Sequence, residues 1–249
     1  MKKSIFLFLL LIVSVSGSAI VSDTNRTDDN GKKTGIWKEK KGSLDFYGNY
    51  LNDQKDGLWV SYHINGIASN IVEYRNGKKN GYSFLVDQTG MYYQKDYFLN
   101  DSLNGMSLCY YPGAKIKSEI EYKMGVLHGL RRTFYNDGKI QEEGRFLNGV
   151  RHGNNKWFYP EGALSIEYNY KNGNLDGIQR SYHRNGNLNS EGRSVNNSEE
   201  GDYLEYFDSG KLKVSGKYLS GKQHGIWKEF DAEGKLLKTE IYKNGELKK

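Results

Sequence analysis

Hydrophobic and polar positions along the chain recur with a period of 24 residues. The fifth residue after each repeat glycine is aromatic in seven of eight copies, and so is the seventeenth residue after it. Self-similarity at such a period is typical of a repeat protein, in which each unit buries apolar side chains against its neighbours. The glycines that mark the period are Gly57, Gly81, Gly105, Gly129, Gly153, Gly177, Gly201 and Gly225, and a shorter first copy begins at Gly35.

Two turn signals divide each copy. In the second copy they are Asn65-Gly66 and Asn76-Gly77, and Asn-Gly tolerates the positive φ that a tight hairpin requires. The runs between the turns, of about six residues each, are predicted strands, and short turns make consecutive strands antiparallel neighbours. The pattern therefore predicts an all-β fold, an elongated antiparallel meander of about nine β-hairpin repeats of 24 residues.

Alternation within the strands predicts which side chains share a face. Positions 1, 3 and 5 after the repeat glycine share one face of the first strand, as do positions 11, 15 and 17 in the second strand. Stacked copies are expected to join these sets into an aromatic and aliphatic ribbon. In the second copy these positions hold Leu58, Val60, Tyr62, Ala68, Val72 and Tyr74.

Positions 4 and 6 add aromatic residues on the opposite face of three consecutive copies. Tyrosine and tryptophan supply rigid contact area, so this stripe is predicted to bind a protein partner. Two other interpretations stay open: coiling of the sheet buries the stripe as a second seam, or the tyrosines merely cover strand ends. A row of aromatic rings can also stack on sugar rings, so glycan binding stays open as well. The predicted partner-binding residues are Tyr111, Tyr135, Trp157 and Tyr159.

The first residues have the features of an export signal. Lys2 and Lys3 precede an apolar run from Ile5 to Val13, and small residues follow up to Ala19. The run is too short to span a bilayer comfortably, which favours a signal peptide over residues 1–19. Residues 20–34 are predicted to be a flexible leader and residues 35–249 the repeat array. The mature protein is expected in the periplasm, at the cell surface or outside the cell.

Composition and charge argue against several functions. The chain has 30 Gly and 20 Tyr, and its net charge of +6 becomes +4 without Lys2 and Lys3 (6 − 2). Cations and anions are interleaved, which does not favour nucleic acid. Cys109 is the single cysteine, so the chain can form no internal disulfide and no cysteine-based metal site.

No group of residues suggests catalysis, so we expect a non-enzymatic protein without a cofactor. Equivalent positions in adjacent copies are roughly 9.6 Å apart, too far to share a zinc ion. Histidines before the repeat glycine are therefore interpreted as polar turn residues, and the glutamates at position 14 as a solvated face among lysines. These residues are His128, His152, His224, Glu119, Glu143, Glu167 and Glu191.

The repeat motif resembles the bacterial variant of the MORN repeat. The segments Gly57-Leu-Trp-Val-Ser-Tyr62 and Gly225-Ile-Trp-Lys-Glu-Phe230 carry the likeness, which extends over residues 35–249. The resemblance implies hairpin repeats, and family members are linked to scaffolding, membrane-lipid contact and protein binding. Many bacterial relatives are YwqK-like antitoxins. The tryptophan column departs from the pattern, since only Trp37, Trp59 and Trp227 keep it.

These observations favour a non-catalytic exported scaffold or binding module that engages a protein partner through its β surface. One alternative is an antitoxin or immunity-like protein that neutralises a toxin. Another is a surface protein that contacts lipid or glycan. The sequence does not fix the partner or the oligomeric state.

Overall fold

A computed structural model describes residues 24–42 and 44–248, and all regular structure in them is β-strand. The chain forms two compact units, Met1–Ser102 and Leu103–Lys249. The predicted signal peptide and its cleavage point lie outside the described residues. The first unit contains β1 (Arg26–Thr27), β2 (Lys33–Lys41), β3 (Leu44–Leu51), β4 (Gln54–Tyr62), β5 (Ala68–Arg75), β6 (Lys78–Val86) and β7 (Tyr92–Leu99).

The short strand β8 (Ser102–Leu103) stands where the two units divide. The second unit contains β9 (Gly105–Tyr110), β10 (Ile116–Lys123), β11 (Val126–Phe134), β12 (Ile140–Leu147), β13 (Val150–Arg151), β14 (Gly153–Phe158), β15 (Leu164–Lys171), β16 (Asn174–Tyr182), β17 (Leu188–Val195), β18 (Ser198–Tyr206), β19 (Leu212–Leu219), β20 (Lys222–Phe230), β21 (Leu236–Lys243) and β22 (Glu246–Lys248).

Within each unit, successive strands are antiparallel neighbours. In the first unit β2 to β7 pair in chain order. In the second unit β9 to β12 pair in the same way, β12 pairs with both β13 and β14, and β14 to β22 continue in order. The predicted all-β antiparallel meander of hairpin repeats is confirmed. Most strands have eight or nine residues, as in β4 and β5, rather than about six.

The two turns of each repeat differ in type. Asn76 and Gly77 both have positive φ, 51° and 77°, which is the type I′ hairpin that Asn-Gly favours. At the other turn Gly66 has a φ of 81°, the Gly66 N–H donates to His63 O at 2.9 Å, and the His63 N–H donates to Ile67 O at 2.7 Å. This is a longer loop that ends in a left-handed glycine. The predicted turn at Asn65-Gly66 is present and Gly66 has the expected positive φ, but the loop is longer than the tight hairpin that the Asn-Gly signal indicates.

The repeat glycine lies inside a strand rather than at a turn. Gly57, in β4, has a φ of 73° and sits in a bulge, because Tyr47 pairs with Val60 whereas Asn49 pairs with Asp56. The extra residues oppose a single residue of β3, and the chain accommodates them through the left-handed glycine. The same bulge recurs around the later repeat glycines, for example between Tyr168 and Tyr170 of β15.

This bulge corrects the interpretation of the histidines. His128 lies within β11 and His224 within β20, and His152 directly precedes β14. All three stand immediately before a repeat glycine. They lie next to the bulge that forms at this glycine, so the prediction that they occupy a polar turn position is wrong.

Strand pairing also corrects the predicted faces. Trp59 pairs with Val72, and Val60 pairs with Ile71, so positions 2 and 15 share a face while positions 3 and 14 share the other. Trp59 is 3% exposed and Leu58 38%. The predicted ribbon of positions 1, 3, 5, 11, 15 and 17 is therefore divided between two faces, because the cross-strand register decides which sets combine.

Positions 2 and 15 form a row in which large and small side chains complement each other. In the first unit a Cβ at Gly48 would overlap the Trp59 indole, and Val72 is the partner of Ser83. In the second unit a Cβ at Gly216 would overlap the Trp227 indole. Each indole N–H donates to a strand carbonyl, from Trp59 to Asn49 O at 3.0 Å and from Trp227 to Lys217 O at 3.2 Å.

A buried polar cluster replaces tryptophan in the middle of the second unit. Asn155, at position 2, is 0% exposed, and its Oδ1 accepts a hydrogen bond from Arg151 at 2.9 Å. Glu142 Oε2 accepts a hydrogen bond from Arg131 at 2.7 Å, and Glu142 Oε1 forms an ion pair with Arg151 at 2.6 Å. Buried polar groups are tolerated when they are paired in this way, which accounts for two departures from the tryptophan column.

The described part of the predicted leader carries structure. Strand β1 pairs with β2 through Arg26 and Thr27, and the Asp28 carboxylate accepts the backbone N–H groups of Asn30 and Lys32, both at 2.9 Å. Residues 24–34 are therefore held against the first repeat by backbone pairing and a turn cap.

The row of complementary sizes makes a prediction. Neither Gly216 nor Gly192 has positive φ, so a methyl group there tests packing alone. Gly216→Ala should lower the free energy of unfolding by about 2 kcal/mol, since it forces the indole aside. Gly192→Ala, whose Cβ would lie 3.2 Å from Tyr203 Cδ2, should cost less than about 1 kcal/mol. Urea denaturation of the full chain measures both changes.

Gly216→Ala combined with Trp227→Ser should cost less than the sum of the two single changes, because the smaller side chain removes the overlap. Additive costs, or equal costs for the two glycine variants, would contradict the packing explanation.

Candidate binding surface

The predicted stripe tyrosines make hydrogen bonds between consecutive repeats. The Tyr111 hydroxyl donates to Phe134 O at 2.9 Å, the Tyr135 hydroxyl to Phe158 O at 2.8 Å and the Tyr159 hydroxyl to Tyr182 O at 2.8 Å. All three side chains are half-buried. They stand at the ends of strands and connect each repeat to the following one.

Histidine makes the same connection in two other copies. His63 Nε2 lies 2.8 Å from Val86 O, and His183 Nε2 lies 2.9 Å from Tyr206 O. Both histidines occupy position 6, as the stripe tyrosines do. In these five copies position 6 is therefore a latch, a residue whose polar tip reaches the carbonyl of the next repeat.

Trp157 belongs to different surroundings. Its ring makes an edge contact with Tyr168, with 6.0 Å between ring centroids, and the Arg151 guanidinium lies over it at 4.9 Å. It adjoins the buried polar cluster and is itself half-buried. Cys109, the single cysteine, is half-buried as well. The structure thus places three of the four predicted site residues at latches and the fourth against Tyr168.

A second group of aromatic residues lies exposed on the first unit. Tyr82 and Phe84 of β6 meet Tyr92 and Tyr97 of β7, and we call these four residues the aromatic patch. Ring centroids are 5.2 Å apart for Tyr82 and Tyr97, 6.1 Å for Tyr82 and Phe84, and 6.3 Å for Phe84 and Tyr92. Tyr82 is 47% exposed and Tyr92 46%. The aromatic patch presents more ring surface to solvent than the half-buried latches do.

Strand register builds the aromatic patch and places a cation on it. Tyr82 pairs with Tyr97, and Phe84 pairs with Lys95. The Lys95 ammonium lies 4.6 Å from the Tyr82 ring centroid and 6.0 Å from that of Phe84. A cation over ring faces is favourable, and Lys95 adds a positive charge to a surface that the Glu73 carboxylate, 3.4 Å from Tyr82 N, also borders.

Sequence reasoning missed the aromatic patch, although a signal exists. Position 3 holds Phe84 in this copy but a basic residue in five others, namely Lys38, Arg132, Lys156, Arg180 and Lys228. Position 1 holds Tyr82 here, Asn154 or Asp202 in two other copies, and an aliphatic residue or methionine in the rest. Comparing copies for positions where one departs from the rest would have found these residues, whereas a search for consecutive aromatic copies did not.

The glutamates at position 14 of the second unit form ion pairs with residues on neighbouring strands. Arg132 Nε lies 2.6 Å from Glu143, Lys156 Nζ 3.4 Å from Glu167 and Arg180 Nε 2.6 Å from Glu191. Glu119 also faces Arg132, at 3.7 Å. These glutamates are half-buried rather than fully solvated, and the cations between them are arginine at two of the three positions instead of the expected lysines. Such partly exposed pairs each contribute about 0–1 kcal/mol to stability. Their alternating charges favour the observed alignment of the strands over a shifted one.

Two kinds of site were sought in residues 24–42 and 44–248. No group of three or more histidine, cysteine, aspartate or glutamate residues there could hold a metal ion. Over the same residues, no helix has the length and apolarity needed to cross a membrane.

The structure defines a β-repeat protein in which each repeat is a hairpin that pairs, within its unit, with the next one. Five stretches of the second unit, residues 127–148, 151–172, 175–197, 199–219 and 223–244, match the family described as MORN repeat variant. The resemblance inferred from the sequence is thereby supported in these five repeats. A search of curated proteins found no match to this chain.

The latch makes a prediction about stability. Tyr135→Phe removes the hydroxyl that bonds Phe158 O and should lower the free energy of unfolding by about 1 kcal/mol. Tyr122→Phe is the matched control, since Tyr122 is half-buried in the same unit and its hydroxyl has no hydrogen-bond partner within the described residues. Urea denaturation should show a change within about 0.5 kcal/mol for this control. Equal losses would mean that the latch adds nothing.

Proposed function

We propose that this protein is a non-catalytic binding module that holds a protein partner on the aromatic patch of its first unit. The observation that carries the proposal is the contrast between two sets of tyrosines. Tyr82 and Tyr92 are 47% and 46% exposed and both contact Phe84, whereas Tyr111, Tyr135 and Tyr159 are half-buried and donate their hydroxyl groups to neighbouring repeats. The partner-binding role first predicted for the stripe is accordingly assigned to the aromatic patch.

The chemistry of the aromatic patch suits a protein surface. Tyrosine buries a large area at little cost in conformational entropy, and binding energy at interfaces concentrates in such residues. Lys95 lies over two of the rings, and its positive charge favours a partner that presents a carboxylate among apolar side chains. Backbone pairing along β6 and β7 holds the patch, so little ordering is required on binding.

The proposal includes export of the protein to the periplasm, the cell surface or the medium. Its support is the basic, apolar and small-residue succession from Lys2 to Ala19. An antitoxin or immunity role, like a lipid-contacting one, rests only on the family resemblance and stays a prediction.

The test is retention of a partner from the producing cell's envelope and medium by immobilised protein. Tyr82→Asn/Phe84→Lys gives the third copy the residues that Asn154 and Lys156 hold in a later copy, so this variant should fold. It should retain at least about tenfold less partner than the wild type, as loss of central aromatic contacts typically costs 2 kcal/mol or more.

Tyr135→Phe is the control and should retain the partner fully, because it alters a latch and leaves the aromatic patch intact. Equal retention by the patch variant, or loss of the partner only in the latch variant, would overturn the assignment of the site. Absence of any retained protein would contradict the proposed function itself.

A further inference from the structure

The second unit contains a gap in an otherwise aromatic column. Position 17 of the repeat is Ser194 in β17, and Gly192 stands two residues before it on the same face. Ser194 leaves space where the other copies of the second unit carry a ring, and Gly192 beside it has no side chain. In the second unit the other residues at position 17 are Tyr122, Phe146, Tyr170, Tyr218 and Tyr242.

The gap opens into a cavity of about 560 Å³, which is within the range of small-ligand sites. Ser194, 5% exposed, is one of the residues that line it. Tyr168, Tyr203 and Tyr218 contribute aromatic walls, and Glu199 lies in the lining as well. We call this cavity the serine notch.

Packing fixes the orientation of the aromatic walls. The Tyr203 and Tyr218 rings meet edge to face, with centroids 5.6 Å apart, and Tyr203 stacks on Trp227 at 5.9 Å. The Tyr203 ring also covers Gly192, since a Cβ there would lie 3.2 Å from its Cδ2. The serine notch is therefore preformed and does not depend on side chains moving into place.

Polar groups of the serine notch have unused hydrogen-bonding capacity. Burial raises the pKa of Tyr203 and of Tyr218, so both hydroxyls stay protonated and can donate at neutral pH. Over the described part of the chain, neither hydroxyl has a hydrogen-bond partner. Glu199 is exposed, and its carboxylate can accept hydrogen bonds from a ligand hydroxyl.

We propose that the serine notch binds a pyranose ring of a neutral saccharide. A pyranose has an apolar C–H face that packs on an aromatic ring and a rim of hydroxyls that both donate and accept. The three tyrosine rings supply the first kind of contact, while the tyrosine hydroxyls, Ser194 and Glu199 supply the second. An apolar ligand would leave these polar groups unpaired, at a cost that a saccharide avoids. The site lies in the second unit and is separate from the aromatic patch.

The experiment is ligand-observed saturation-transfer NMR and titration calorimetry on the full chain. The probes are three neutral trisaccharides, cellotriose, maltotriose and the N-acetylglucosamine trimer, each up to 10 mM. At least one should show saturation transfer to its ring protons and a saturable binding isotherm. Ser194→Tyr restores the residue of the neighbouring copies, fills the serine notch and should weaken that binding at least tenfold. Ser194→Ala keeps the space but removes one hydroxyl, so it should weaken the binding severalfold and by less than Ser194→Tyr does.

Glu199→Ala is an exposed change that leaves the fold intact, and it should weaken binding severalfold even if Ser194→Tyr perturbs the unit. Absence of binding by all three saccharides would overturn the proposal. So would undiminished binding by Ser194→Tyr whose unfolding transition matches that of the wild type. Tyr82→Asn/Phe84→Lys should bind the saccharide normally, which separates this site from the proposed partner surface.

Discussion

Size complementarity between cross-strand neighbours is the constraint on which the rest of the structure depends. A sheet one strand thick has few places to bury side chains, and the residue at position 2 of one repeat shares its space with position 15 of the repeat before it. Trp59 and Trp227 are accommodated because Gly48 and Gly216 carry no side chain. Where the chain places Asn155 instead, Arg151 and Glu142 complete a paired polar cluster. Trp59 and Trp227 thus each require a glycine in the strand beside them, but a glycine alone is not sufficient, since Gly144 faces Asn155.

The edges of the repeats contribute a second set of contacts. At the tight turns that contain Gly77 and Gly221, the glycine N–H donates to a carbonyl beside the preceding tight turn. Gly77 N–H donates to Lys55 O at 2.9 Å, and Gly221 N–H donates to Glu199 O at 2.9 Å. At the longer turns the latch side chains reach forward to the next repeat. Both edges therefore bond each hairpin to its neighbours, as a repeat protein without a central core requires. Aromatic residues divide accordingly into those that hold repeats together and those displayed on the surface.

The fold class could be predicted from the sequence because the spacing of glycines and aromatic columns depends only on the order of residues along one chain. The faces could not, since pairing across the sheet decides them and the bulge at Gly57 shifts that pairing. The same reason explains the candidate site. Tyr135 was recognisable as part of an aromatic stripe, but its bond to Phe158 O joins residues 23 positions apart. The aromatic patch and the serine notch arise where one copy departs from its column, at Phe84 and at Ser194, and their surroundings come from neighbouring strands.

The division of the tyrosines is the central claim, and residue-resolved chemical modification tests it most directly. Brief iodination of the folded full chain, followed by mass spectrometry of its peptides, gives a rate for each tyrosine. The account predicts rapid modification of Tyr82 and Tyr92 and slow modification of Tyr135 and Tyr159, with the difference abolished in denaturant. Rapid modification of the latch tyrosines together with protection of Tyr82 and Tyr92 would contradict both the repeat packing and the proposed surface.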